Sequence, residues 1–403
     1  MISFSDGHAL VLDIASESNE LNDELARSNP GLSEEANARR IRILGLLDRL
    51  KSLLQDPHEF VHDYVSTNWD HGALYVLLHA KVLDAIADDG GSDLTLLSEQ
   101  SGIPADKLVR ILRLLSCQHF VEEPCDEHFA LTAASRMLVN DVDFRAWVEF
   151  QLYETRVASA SLADTLLALP NDYENGESAF KHAWGEEMYD WHAARCDKAE
   201  RFRKAMKGVS QSMDPADQLL KDWFKTHHKS GDEHIVEFAG RYGLASPSLV
   251  ETVPTLTSAV RIADTEILKR YREGLSGDLK EQITFELHER IEERQPATDR
   301  QRHLTAYVAR NLLWNWSDED ATQLLRTLLP AMEAHPEIVV LICDGLSPAR
   351  NAYDPHVEQA YRRRDITMMT MHNVRQRTEL EWRALFTRAS PDLEVSIDIA
   401  ENA

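Results

Sequence analysis

The sequence predicts an α/β protein in two parts: a helical module that includes a winged helix, then a parallel sheet with helices on both faces. Three observations carry this. At 403 residues the chain is longer than a single hydrophobic core usually supports. Up to about residue 230, apolar positions recur mainly at helical spacing. From His234 onward the runs "HIVEFAG", "SAVRIAD", "QITFELHE", "HLTAYVARNLL" and "EIVVLICD" alternate with helical stretches, as strands do in a parallel sheet with crossover helices.

Taken in order, "EEANARRIRILGLLDRLKSLLQDP" places Ile41, Leu44, Leu47, Leu50 and Leu54 on one helical face, and Pro57 is expected to stop the run. Such an amphipathic helix needs a partner. "HGALYVLLHAKVLDAIADDGG" reads as one buried helix ending at a Gly-Gly turn. Next come a short helix ending at Gly102, a Pro-led turn, a helix with Leu108, Ile111, Leu112 and Leu115 on one face, and a hairpin. That is the pattern of a winged helix. From about 145 to 230 further helices join it to the strands.

Composition removes several classes of function. The net charge of −25 repels phosphate backbones, and the second winged-helix helix offers only Lys107, Arg110 and Arg113. Nucleic acid is therefore excluded as a partner, and the module reads as a packing and dimerisation element. Runs such as "ALYVLLHA" are too short to span a bilayer, and the N-terminus has no basic start or apolar stretch of a secretory signal. No membrane association and a cytoplasmic location follow as expectations. Cys117, Cys125, Cys196 and Cys343 form no Cys-x-x-Cys pair, so neither a disulfide framework nor a metal is expected.

Ligands of parallel sheets bind at the carboxyl ends of the strands. After the first strand, "VEFAGRYG" sets Glu237 at the strand end and Gly240 and Gly243 in the turn, where backbone can approach a ligand. The second strand ends at Asp264, whose carboxylate can accept from ribose hydroxyls. The third ends in "LHER", with Glu289 in reach of an adenine amino group.

With these motifs in place, the chain resembles the fungal and plant O-methyltransferases dependent on S-adenosylmethionine, from about residue 65 to the C-terminus. The family's "VDVGGGxG" corresponds to "VEFAGRYG", its "DLP" to "DTE" at Asp264, its "HDFF" to "HERI", its "LHDWSDE" to "LWNWSDE", and its "ERTxxEW" to "QRTELEW". The resemblance implies a Rossmann-like methyltransferase domain over 231–403. It also implies a helical and winged-helix dimerisation domain over 1–145 and a helical connector over 146–230 that contributes to the substrate pocket. It assigns Glu237, Gly240, Arg241, Gly243, Asp264, Glu289 and Trp316 to the cofactor. Arg241 stands where the family has glycine, which leaves two expectations: S-adenosylmethionine held in a non-methylating role, or lost.

The departures bear on the reaction. In the family a histidine in "LHDW" deprotonates the substrate hydroxyl; here that position is Trp314, which accepts no proton. The neighbouring Asp is Asn315, the Glu of "ERT" is Gln376, and Asp344 is the one carboxylate of the set that remains. The branch with this profile is the methyltransferase-like pericyclases of fungal polyketide and pyridone alkaloid pathways. In them a Diels–Alder, hetero-Diels–Alder or Alder-ene closure of a hydrophobic polyene needs orientation and a hydrogen-bond donor rather than a base. The resemblance gives Trp314 stacking or donation, Asn315 and Gln376 carbonyl polarisation, and Tyr153, Glu154, Met206, Met368, Met369, His372 and Asn373 the pocket, with His372 also a candidate catalytic group. Two alternatives stay open: an O-methyltransferase with a substitute base, such as His372 or Glu154, and a pseudoenzyme regulating an active homologue. A homodimer through residues 1–145 is expected.

Overall fold

In the computed structural model, β4 (Glu233–Phe238) is buried at every position, as a central parallel strand must be when helices cover both faces. The structure describes residues 4–27, 33–168, 177–213, 216–227, 231, 233–240, 244–288 and 303–397. They fall into two units: residues 1–136 with 347–366, and residues 137–346 with 367–403.

In the first unit, helices Phe4–Arg27 and Glu34–Leu54 pair. Arg39 bonds Glu17 at 3.2 Å, Glu24 at 2.7 Å and Glu35 at 3.1 Å. The second of these helices ends at Leu54 as expected, but Pro57 does more than stop it. Pro57 opens a new helix, Pro57–His79, at the position where its missing N–H costs nothing, and Asp56 and Glu59 cap that helix reciprocally. The single buried helix expected up to the Gly-Gly turn is broken: Lys81 takes a left-handed conformation (φ 56°), and only Val82–Ala85 follows as a short helix. The winged helix is present. Helices Leu94–Ser101 and Ala105–Cys117 accompany a three-stranded antiparallel sheet of β1 (Ser92–Asp93), β2 (Val121–Cys125) and β3 (His128–Leu131), in the order β1-β3-β2. Gly102, at φ 71°, ends the first of those helices as the sequence indicated.

In the second unit the five expected strands are β4, β5 (Thr257–Ile262), β6 (Ile283–Leu287), β7 (His303–Arg310) and β8 (Val339–Cys343). They form one parallel sheet in the order β6-β5-β4-β7-β8. Val236, Phe238, Tyr307 and Ala309 pack on one face with the Asp318–Ala334 and Glu379–Ala389 helices. Ile235, Ala306 and Val308 pack on the other with Ala216–His227 and Ser246–Thr252. A register shift opposite His234 and Ile235 puts Leu304 on the same face as Tyr307, across an odd number of residues. The order reverses between β4 and β7, so the crevice beyond their carboxyl ends is where a ligand of such a sheet binds.

Among the described residues, no helix is long and apolar enough to cross a membrane.

Candidate functional site

The segment leaving β7 is folded by its own backbone needs. The Asn311 N–H extends the ladder to the Cys343 carbonyl at 2.9 Å, and Asn311 itself turns left-handed (φ 48°), a conformation asparagine tolerates well. Leu313–Asn315 then forms a single 3₁₀ turn, and Ser317 caps the following helix through the Asp320 N–H at 3.1 Å.

Two groups hold this turn. Asp344, just after β8, accepts the Leu312 N–H on Oδ1 at 2.9 Å and the Trp314 N–H on Oδ2 at 3.1 Å. Burial pushes its carboxyl up to about 7, against the pull of those amides. Arg377 approaches from elsewhere in the unit. It donates to the Leu313 carbonyl at 2.8 Å, the Trp316 carbonyl at 2.7 Å and Asp318 at 2.8 Å, and its guanidinium lies 5.0 Å from the centre of the Trp382 ring. Burial works against ionisation of Asp318, but its hydrogen bonds to Arg377 and Arg388 hold its carboxyl below the usual range. Sequence reasoning missed Arg377, although it lies next to Gln376 within the quoted "QRTELEW".

Between these anchors the structure brings together Trp314 and Gln376. Both meet over Gly345: a Cβ added there would lie 2.7 Å from Gln376 Nε2 and 3.6 Å from Trp314 Cε3. Gln376 is buried, and the Trp314 indole Nε1 is buried without a hydrogen-bond partner among the described residues. A buried donor left in this state costs about 1–3 kcal/mol, so it needs either a functional reason or a ligand acceptor. The Asn315 backbone lies in the 3₁₀ turn; its side chain is outside the described residues.

Of the other expected pocket residues, Tyr153, Glu154, Met206 and His372 lie at a buried cluster of Phe150, Phe180, Trp191, Phe202 and Met371, with Trp184, Tyr189 and Met206 at its edge. Tyr153 and Glu154 sit on a π-helical turn, Gln151–Thr155, the kind of irregularity that re-aims side chains at functional sites. Tyr153 meets Trp184 edge-on at 5.6 Å, and Glu154, fully buried, pairs with Arg201. His372 stacks on Tyr189 at 4.9 Å; burial, then the nearby His192, pushes its pKa down to about 4. Met368 is buried and Met369 half-buried, while Met371 is the methionine that joins the aromatic cluster. Asn373 terminates its helix in a left-handed conformation (φ 54°).

Of the cofactor positions, Arg241, Gly243 and Glu289 lie outside the described residues. Glu237 is turned inward: its carboxylate accepts the Ala245 and Ser246 amides at 2.7 and 2.8 Å together with the Ser246 hydroxyl, and burial raises its pKa. Asp264 caps the Thr265–Gly274 helix with Oδ1 and makes no further hydrogen bond with Oδ2 among the described residues. Trp316 is half-buried against the core. Among the described residues, a Cβ added at Gly240 would meet only Leu312 Cδ1, at 3.7 Å. Among the described cofactor positions, Asp264 thus fits S-adenosylmethionine, since its Oδ2 could accept from a ribose hydroxyl, while the Glu237 carboxylate is taken up by the next helix.

A family model described as an O-methyltransferase domain matches residues 160–390. The O-methyltransferase phnC of Penicillium herquei is 40% identical over 368 residues, covering 90% of this chain and 86% of that protein. Among solved structures, the complex of LepI with SAM has a TM-score of 0.72 at 18% identity, over 93% of this chain and 92% of that one. One described as a pericyclic reaction enzyme has a TM-score of 0.72 at 17% identity, over 93% of each chain. At these identities the likeness to both is one of fold.

Proposed function

This chain belongs to the O-methyltransferase family, and we propose that within it the protein is a pericyclase that closes a ring in a polyene intermediate of fungal polyketide or pyridone alkaloid biosynthesis. One observation carries the reading: where the family places its base, the Trp314 indole N–H is buried without a hydrogen-bond partner among the described residues, on a ring that meets Gln376 over Gly345. A donor in that position is suited to a carbonyl oxygen that gains charge as the ring closes, and no proton has to leave the substrate. The aromatic cluster supplies walls that hold a flexible chain in its reactive fold, which can contribute several kcal/mol through orientation alone.

The groups available as substitute bases favour the same reading. His372, at about 4, is a weak proton acceptor at neutral pH, and the Glu154 carboxylate is held by Arg201. Asp264 and Trp316 would hold the ribose and adenine of S-adenosylmethionine. When bound, that molecule supplies a sulfonium charge as well as a methyl group.

Methyl transfer is the second reading. It is favoured by the name of the Penicillium herquei relative and by Asp344, whose carboxyl, raised to about 7, is in the range of a working general base. The test is incubation with methyl-labelled S-adenosylmethionine and two substrate sets, linear polyene pyridones and simple phenols. The pericyclase reading expects unlabelled cyclic isomers of the polyenes; labelled ethers from either set would overturn it. We also propose that the protein works as a homodimer through the first unit. There Phe60, Val61, Tyr64, Val65 and Trp69 form an exposed apolar stripe along the Pro57–His79 helix.

A further inference from the structure

We infer that His192 determines specificity, its Nε2 accepting a hydrogen bond from a hydroxyl on a flat, hydroxylated ring of the ligand. The inference rests on the proposed reading that the aromatic cluster of the second unit receives the substrate. It holds whether that substrate is cyclised or methylated.

His192 lies on the short Met188–Ala193 helix and is fully buried. Its Nδ1 is 2.8 Å from the Met188 carbonyl oxygen. A carbonyl oxygen can only accept, so Nδ1 carries the proton and Nε2 presents a bare lone pair. Burial lowers the pKa of the ring, and Arg195 and Lys198 lower it further, so the imidazole stays neutral in this tautomer. Nε2 is buried and has no hydrogen-bond partner among the described residues. Around it stand Phe202 at 4.5 Å, Trp191 at 5.0 Å, Phe150 at 5.9 Å and Phe180 at 6.2 Å between ring centres. A histidine kept only for packing would have both nitrogens satisfied or be replaceable by phenylalanine; this one keeps an acceptor with no donor among aromatic walls.

A second acceptor in the same helical region is in the same state. Glu154 bonds Arg201 through Oε1, while its buried Oε2 has no partner among the described residues. Two acceptors lacking donors, set among faces that stack on flat rings, recognise a ligand that brings O–H groups on an aromatic or enolic ring. A polyene that is hydrocarbon throughout would leave both acceptors desolvated and unmet. The polyene therefore carries a hydroxylated ring at one end, and this cluster reads that end.

The test compares 2-naphthol with 2-methoxynaphthalene, the same ring with and without the donor. Binding of each to the full-length protein is measured by calorimetry, for wild type and His192→Phe. The wild type is expected to prefer 2-naphthol about tenfold, one hydrogen bond to a buried acceptor. His192→Phe is expected to erase the preference by weakening 2-naphthol binding alone. In wild-type protein with ¹⁵N-labelled histidine, the Nε2 signal of His192 is expected to shift with 2-naphthol and stay in place with 2-methoxynaphthalene. Equal binding of the two probes by wild type, binding of neither, a preference that survives in His192→Phe, or an unmoved Nε2 signal would each overturn the inference. The NMR arm uses wild type only, so it decides even if the variant fails to fold. None of these readouts depends on ring closure, so a failed cyclisation assay would count against the proposed function and leave this result standing.

Discussion

Trp314→Phe separates the two things a tryptophan can do at this position. The substitution keeps an aromatic face and deletes Nε1. If Trp314 were there for packing, truncating a half-buried indole to a phenyl ring would cost about 1 kcal/mol on the scale of cavity terms. In this structure the deleted atom is itself a liability, since Nε1 is buried with no partner among the described residues. Removing it returns roughly 1–3 kcal/mol of desolvation cost. The two effects oppose, so stability is expected to stay within about 1 kcal/mol of wild type or to rise slightly. For a unit of this size that is a change in Tm of no more than about 4 °C. Turnover of the polyene should fall about 10- to 30-fold, the loss of one donor at an oxygen that gains partial charge. Thermal unfolding and single-turnover cyclisation are measured on the same preparations. A drop of more than about 2 kcal/mol in stability with a proportionate loss of activity would show that Trp314 is a packing residue, and unchanged turnover would remove the donor from the account.

Further substitutions have outcomes that can be worked out in the same way. Asp344→Asn should flatten part of the pH dependence of stability: a carboxyl raised to about 7 keeps its proton in the native state between about 4 and 7 while the unfolded chain releases it, so this group's contribution is lost as pH rises through that window, at no more than about 1.4 kcal/mol per pH unit. The same variant turns an amide NH2 toward the Leu312 or Trp314 N–H and loosens the turn that carries Trp314, so cyclisation should fall no further than with Trp314→Phe, about 10- to 30-fold, whereas abolished turnover would favour Asp344 as a base. His372→Gln should remove a slope of opposite sign, because a histidine at about 4 stays neutral in the native state while the unfolded chain takes up protons below its ordinary value near 6.5, so stability falls as pH drops; unfolding curves across that range read both variants. Arg377→Met should cost about 3–5 kcal/mol in urea unfolding, since it strips partners from two carbonyls and from Asp318, and Arg377→Lys should recover only part of this. Tyr64→Glu with Trp69→Glu, at positions 72% and 71% exposed, should halve the mass seen by light scattering without lowering the unfolding temperature, and an unchanged mass would place the dimer elsewhere.

What the sequence disclosed followed from where the physics is local. The five strands were legible because a parallel strand buried on both faces must read as a short continuous apolar run, and Gly102 marked a helix end because a left-handed terminus favours glycine. The break at Lys81 was not legible, because nothing about lysine favours a left-handed conformation. Nor does any composition signal mark the return of residues 347–366 to the first unit. At the site, motif positions located Trp314 and Gln376, and the structure adds that Gly345 is the point over which they meet. Glu237 shows the limit of that approach: an acid at a strand end reads as a ligand residue, yet here both oxygens accept hydrogen bonds at the start of the next helix. Arg377 and His192 were passed over because their roles depend on carbonyls and rings far away in sequence, or on a tautomer fixed by one backbone oxygen.

Ring closure on this methyltransferase fold without transfer of a methyl group is read out by mass spectrometry of the product. The purified protein is given a linear polyene pyridone and S-adenosylmethionine carrying a deuterated methyl group. A pericyclase gives a product of the same mass as the substrate, with fewer double bonds and no deuterium. A product heavier by one labelled methyl group in place of a hydrogen, with the polyene intact, would contradict ring closure.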